Sequence, residues 1–275
     1  MLTVLTGLLT ALSYATSDMF SQRVTRQTRA LTQMLWVLAT GVIIILPVAL
    51  LIEGIPAAGE WGGAGLAALA GALYFFALFC LLRGLNVGDL GLVSALVSLQ
   101  GAYVAVAVVL LGTPVTLPLA VALGLCVFGA ILTSIEGRAG STKGAPWAIV
   151  AGILFACIML CYNYADIGWL SQTAISRTVS LAVTLPVALL SGSVAVPKAL
   201  RTRAVGAGVL ELAGLSLLTI TFALGPPTVA GVTTTQFGTF AVILGFVLLH
   251  ERPKPNQWVG IACTIAGVSL IAAIV

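Results

Sequence analysis

The chain has 275 residues, of which 60% are hydrophobic and only 7% charged, and its formal net charge is +4. A soluble domain is on average about 45–50% apolar and about 25% charged, so this composition excludes an ordinary soluble fold. It also excludes disorder, which needs low hydrophobicity. The remaining solvent is lipid. Ten spans of about 20 residues each would leave only short connections and no separate soluble catalytic domain.

Polar or Gly/Pro-marked breaks divide the sequence into ten apolar segments, at about 3–22, 30–52, 62–83, 88–111, 116–136, 145–166, 171–193, 203–225, 227–249 and 256–275. In lipid the backbone must satisfy its own hydrogen bonds, which makes each segment a helix. A transmembrane barrel would show alternating segments of about ten residues instead. The class is therefore an all-α polytopic membrane protein. Trp61, Trp147, Trp169 and Trp258 fall near segment ends, where interfacial anchors sit. No Lys or Arg precedes the first apolar run, whereas Arg23, Arg26 and Arg29 follow it, so the N-terminus does not read as a cleavable signal. The cysteines Cys80, Cys126, Cys157, Cys161 and Cys263 lie inside apolar runs with no CxxC pair. They read as small core residues rather than a disulfide frame or a metal site. The only histidine, His250, sits in a turn.

Charge placement predicts the orientation. Connections after odd-numbered segments carry Arg23, Arg26, Arg29, Arg83, Arg138, Lys143, Lys198, Arg201, Arg203, Arg252 and Lys254, all the basic residues except Arg177. Glu53 and Glu60 lie on the opposite side. The positive-inside rule then places both termini outside the cytoplasm, with the chain in the inner (plasma) membrane.

The sequence also repeats. One offset lays Leu110-Leu111-Gly112-Thr113-Pro114 over Leu248-Leu249-His250-Glu251-Arg252, Gly129 over Gly267 and Ser98 over Gln236. An offset one residue longer lays Leu85 over Leu224 and Ser94 over Thr233. Near the starts a longer one lays Gly7-Leu8-Leu9 over Gly152-Ile153-Leu154 and Asp18 over Asn163. Each half, 1–137 and 138–275, holds five helices. An odd number makes the halves enter the membrane from opposite sides, as in many secondary transporters.

The stretch from Ala223-Leu224 to Val275 holds a small-residue helix, then Leu248-Leu249-His250-Glu251-Arg252-Pro253, then Gly260 and Gly267 seven apart; Leu81-Leu82-Arg83 through Ile131 is a weaker copy. These features resemble the EamA-type modules of the drug/metabolite transporter superfamily, and the resemblance covers nearly the whole chain. In size and bare termini it is most similar to YddG-type amino-acid exporters. Two departures stand out: the proline often found midway along the fourth and ninth helices is missing, and Thr113 replaces the Glu of the first-half turn. The resemblance implies helices one to four and six to nine around a central cavity, with five and ten peripheral.

Several residues are candidates for function. Ser94, Ser98, Gly101 and Ala105 share one face of the fourth segment, and Gly238, Ala241 and Gly245 one face of the ninth. Close helix packing explains the glycines and alanines. Ser98 and Gln236 are repeat mates near mid-membrane, where transporters bind cargo, and with Ser94 and Thr234 they are candidates to line a cavity. Charges within the membrane are costly and point to function. Asp18 either pairs with Arg23 or water, or faces a cavity; its polar mate Asn163 favours the cavity. Glu211 is the most deeply placed charge. It is either protonated and bonded to a neighbouring helix, or it faces a wet cavity and holds a cation. Both acids are candidate proton carriers. Arg177 is expected to pair with Asp166 rather than to capture substrate. Tyr14, Tyr74, Tyr103 and Tyr162 lie within or near the middle of spans, and a buried Tyr hydroxyl usually finds a partner.

Together these readings predict a secondary transporter exporting neutral or aromatic amino acids and similar small metabolites by alternating access. The sequence has no GxxxxGK[ST] site, so ATP is not its direct energy source, and it calls for no cofactor. The expected partners are the small-molecule substrate, the lipid bilayer and protons, with a monomer sufficient. Alternatives are a drug or other metabolite exporter and a non-transporting scaffold. A membrane-embedded enzyme would need clustered ligands or a nucleophile–base pair, which one loop histidine and two separated acids do not make. The basic residues form short loop clusters that topology explains, so nucleic-acid binding is not expected.

Overall fold

The computed structural model describes residues 1–88, 93, 96–112, 116–134, 142–240, 243–244 and 255–274. Among these the chain is entirely helical: α1 Leu2–Thr25, α2 Ala30–Ile52, α3 Trp61–Val87, α4 Gln100–Leu110, α5 Leu117–Ser134, α6 Ala145–Tyr164, α7 Trp169–Leu190, α8 Lys198–Leu224, α9 Pro227–Thr234 and α10 Pro255–Ile274. Five stretches are long and apolar enough to cross a bilayer unaided: Ala30–Ile52, Ala58–Val87, Ala145–Tyr164, Trp169–Leu190 and Lys198–Leu224. Shorter apolar stretches, Leu117–Gly129 and Trp258–Gly267, lie in α5 and α10. α1 is long enough but carries more hydroxyls, together with Asp18 and Arg23.

The fourth and ninth segments are not the continuous helices that the sequence predicts. Residues 96–98 are helical, Leu99 is a turn, and α4 begins at Gln100. In the other half α9 ends at Thr234; Thr235 has φ −93° and ψ 5°, and helix resumes at 237–240. The breaks fall at the repeat mates Ser98 and Gln236, with no proline at either. In α9 the physical reason is visible. The hydroxyls of Thr233, Thr234 and Thr235 donate to carbonyls one turn back, at Val229, Ala230 and Val232, with distances of 2.8, 2.8 and 3.0 Å. Such bonds compete with the helical ladder, in a β-branched run that already disfavours helix.

Helix pairs repeat across the two halves. α1 packs on α8 as α3 packs on α6; α2 packs on α7, α4 on α9 and α5 on α10. In lipid, close approach and polar contacts hold such pairs together. On the α1–α8 seam Ser17 donates to the Ala207 carbonyl at 2.9 Å, Thr221 to Thr6 at 2.9 Å and Thr3 to the Leu224 carbonyl at 3.2 Å. The Tyr14 ring lies so close to Gly214 that a β-carbon there would sit 2.8 Å from it. Where α4 crosses α9, a β-carbon on Gly101 would come 2.9 Å from the Gly231 carbonyl oxygen. α5 and α10 pack at Gly267, where a β-carbon would meet Ala122 and Cys126. All five cysteines are free. Cys80 and Cys126 are buried as expected, but Cys157 is exposed on the outer face of α6, so it is not a core residue.

α2 and α7 lie antiparallel and grip each other's ends. Both helices contain a proline, Pro47 and Pro186, and both are followed by a glycine of left-handed conformation, Gly54 at φ 76° and Gly192 at φ 66°. Just past α2, the Glu53 carboxylate accepts the backbone N–H groups of Leu170 and Ser171 at 3.2 and 2.7 Å, capping α7. Just past α7, the Ser191 carbonyl accepts from Arg29, the residue before α2, at 2.7 Å.

Candidate functional site

α7 supplies the site's polar framework. Thr173, Ser176, Arg177, Ser180 and Thr184 recur at helical spacing, and all are buried. Side chains three and four apart share a helix face, and a polar face in lipid must turn inward to find partners. Thr173 meets Thr219 of α8 at 3.2 Å, Ser176 meets the Tyr162 hydroxyl of α6 at 2.6 Å, and Ser180 donates to the Gly71 carbonyl of α3 at 2.5 Å.

Arg177 is the centre of this stripe and is wholly buried. Its guanidinium forms an ion pair with Glu211 on α8. Its Cζ lies 4.8 Å from the centre of the Tyr74 ring, a cation–π contact. The Tyr74 hydroxyl donates to the other oxygen of the same carboxylate. Gly41 on α2 lies beside the arginine; a β-carbon there would make ordinary contact with its Cδ and Nε at 3.6 Å. Four helices thus converge on one charge pair. The expected partner Asp166 is not used: it is exposed at the end of α6. Glu211 thus has contacts of both expected kinds, a hydroxyl from a neighbouring helix and a cation, and it lines the cavity.

In front of this pair lies a cavity whose empty volume of about 550 Å³ includes space open to the surroundings. Tyr14, Tyr74, Phe155, Tyr162 and Phe237 contribute aromatic walls, with the Tyr74 and Phe155 rings edge to face at 5.7 Å. Asp18, Gln100 and Glu211 are its charged or amide-bearing residues, and aliphatic side chains of α3, α6 and α8 complete it. Asp18 has no hydrogen-bond or ion-pair partner among the described residues, Arg23 included.

Five of the residues that the sequence singles out therefore meet at the cavity: Tyr14, Asp18, Tyr74, Tyr162 and Glu211. Ser98 and Gln236 are buried at the two helix breaks. The Gln236 amide donates to the Val232 carbonyl at 3.0 Å, while its Oε1 and the Ser98 hydroxyl have no partner among the described residues. Thr234 is turned back onto its own helix. Tyr103 packs beside Gly152 of α6 rather than on the cavity, and Asn163, half-buried near the end of α6, does not line it. Ser94, Ala241 and Gly245 lie outside the described residues. Sequence reasoning missed Arg177, Gln100, Phe155 and Phe237 as site residues. The polar periodicity of α7 was the available signal for Arg177; Phe155 and Phe237 look like any lipid-facing aromatic.

The fold and the site define an integral membrane protein in which broken and continuous helices surround an aromatic cavity with few polar groups. The sequence model of the EamA-like transporter family matches residues 1–135 and 142–273. The chain belongs to this family of membrane transporters, within the drug/metabolite transporter superfamily. No curated protein matches the sequence. A solved structure, described as the crystal structure of a protein, is similar with a TM-score of 0.79, covering 99% of this chain and 99% of that one at 14% identity. A likeness at that identity shows the shared fold.

Proposed function

We propose that the chain exports neutral or aromatic amino acids and similar small metabolites across the inner membrane, in the manner of YddG-type exporters. The observation that carries this reading is the cavity itself: one copy of the chain lines it, tyrosine and phenylalanine rings wall it, and a carboxylate without a partner among the described residues lies in its lining. Aromatic walls accept side chains of varied size, while the few polar groups orient the cargo. Transport proceeds by alternating access, the two halves 1–137 and 138–275 rocking about the cavity. The breaks in the fourth and ninth segments supply the irregular backbone that such sites use.

Proton exchange, where it drives export, runs through Asp18 rather than Glu211, whose charge Arg177 already balances. In proteoliposomes with an imposed pH gradient, Asp18→Asn is expected to lose gradient-driven accumulation of labelled substrate. The cargo reading is tested in the same vesicles: labelled Phe, Met or Thr is expected to enter, and the amino-acid assignment is abandoned when all three stay outside. A reporter fused after Val275 is expected to signal from the non-cytoplasmic side, as the placement of basic residues requires.

A further inference from the structure

The transport reading leaves open which end of the cargo the cavity recognises, and the charges that line it bear on that question. Two of its walls carry carboxylates, Asp18 and Glu211. Arg177 pairs with Glu211 from behind, its guanidinium is wholly buried against Tyr74 and Gly41, and it is not part of the lining. Of the two carboxylates only Glu211 is paired with a cation among the described residues, and no cationic side chain among them reaches the cavity. A half-buried carboxylate without a side-chain partner among the described residues is a ready counter-ion for a cation brought into the cavity.

A second observation points the same way. Gln100 lines the cavity at 4% exposure, and its Oε1 has no hydrogen-bond partner among the described residues. A buried amide oxygen left unmet calls for a donor. Its neighbours at the two helix breaks repeat the pattern. The Gln236 amide is oriented by the bond from its Nε2 to the Val232 carbonyl, which leaves Oε1 unmet, and the Ser98 hydroxyl is also unmet. Of the unmet groups, the Gln100 and Gln236 oxygens are acceptors, the Ser98 hydroxyl can accept as well as donate, and the unmet donors, Nε and Nη1 of Arg177, lie behind Glu211.

We propose that the cavity recognises a protonated amine on an aromatic or apolar body, with Asp18 as its counter-ion and Gln100 as a hydrogen-bond acceptor, and that it does not require a carboxylate. Amino acids are cargo because they carry the ammonium group, and aromatic monoamines are cargo of the same site. The rings of Tyr14, Phe155, Tyr162 and Phe237 face the body of the ligand, while that of Tyr74 is already engaged by Arg177. This inference rests on the cavity being the transport site.

The full-length protein in proteoliposomes provides the test, with labelled phenylethylamine as probe and phenylalanine and 3-phenylpropionate as competitors. Phenylethylamine is expected to be taken up and to be displaced by phenylalanine. 3-Phenylpropionate, which has the same ring and a carboxylate but no amine, is expected to compete at least tenfold more weakly. Asp18→Asn is expected to cut phenylethylamine uptake at least tenfold, and Asp18→Glu to restore part of it, which separates loss of the counter-ion from misfolding. Equal competition by 3-phenylpropionate, or full phenylethylamine uptake by Asp18→Asn, overturns the proposal. Phenylalanine uptake without phenylethylamine uptake also overturns it while leaving the amino-acid reading intact. If none of the three compounds binds or moves, the transport-site reading fails and this inference fails with it.

Discussion

α2 and α7 occupy equivalent places in the two repeats, yet they bury opposite chemistry. Aligned on Pro47 and Pro186, the buried positions Met34, Val37, Leu38, Gly41 and Ile45 of α2 correspond to Thr173, Ser176, Arg177, Ser180 and Thr184 of α7. One stripe is apolar and packs by shape. The other is polar, and hydroxyl or ionic contacts tie it to α3, α6 and α8. Lipid gives apolar helices little reason to prefer one neighbour over another, whereas an unmet polar group in hydrocarbon has few places to go. The polar stripe therefore fixes which helices surround the cavity and how α7 is rotated, and α2 fills the space that remains. A fold with twofold backbone symmetry thus gains a one-sided site: the charge pair has no counterpart in the first half.

Replacing α7 residues with their α2 counterparts tests this contrast. The largest effect is expected from Arg177→Leu, which copies Leu38. It leaves Glu211 buried without its cation, and a broken buried pair costs about 3–5 kcal/mol. Thermal unfolding in detergent should show it, and Arg177→Leu combined with Glu211→Leu should recover most of the loss, because removing both charges is far less costly than removing one. A single variant as stable as the parent would mean that the pair does not organise the bundle.

A smaller effect is expected at the clasp between the helix ends. Glu53→Ala removes the carboxylate that caps α7 and should cost about 1 kcal/mol, with faster amide exchange in the first turn of α7. Ser180→Gly, copying Gly41, removes an interhelical hydrogen bond; such bonds average about 0.6 kcal/mol in membranes, so a slight loss of stability is expected. The smallest change belongs to Thr184→Val. Its hydroxyl bonds only to the Ser180 carbonyl of its own helix, so stability should stay within about 0.5 kcal/mol of the parent. A large loss there would show that the stripe acts as a unit rather than through its cross-helix contacts.

The span pattern was legible because hydropathy and helix length follow from the bilayer alone. Tyr14, Asp18, Tyr74 and Glu211 could be picked out as polar or amphipathic groups too deep in the membrane to be left without partners. The breaks at Leu99 and at Thr235-Gln236 were not legible. Sequence reading looks for proline as the interrupter, and at Thr235-Gln236 threonine hydroxyls compete for the backbone instead. The partner of Arg177 was also missed. Asp166 is closer along the chain, but distance in sequence says nothing about which helices abut.

By itself the sequence determined the membrane class, the helical backbone and the existence of two related halves. Each follows from free energies of transfer and hydrogen bonding that act on one segment at a time. Tertiary structure alone decided that Arg177 belongs to Glu211, that Asp18 lines the cavity with no partner among the described residues, and that Phe155 and Phe237 face the cavity. Those outcomes depend on how helices rotate and meet, and a single helix in lipid contains no record of its neighbours.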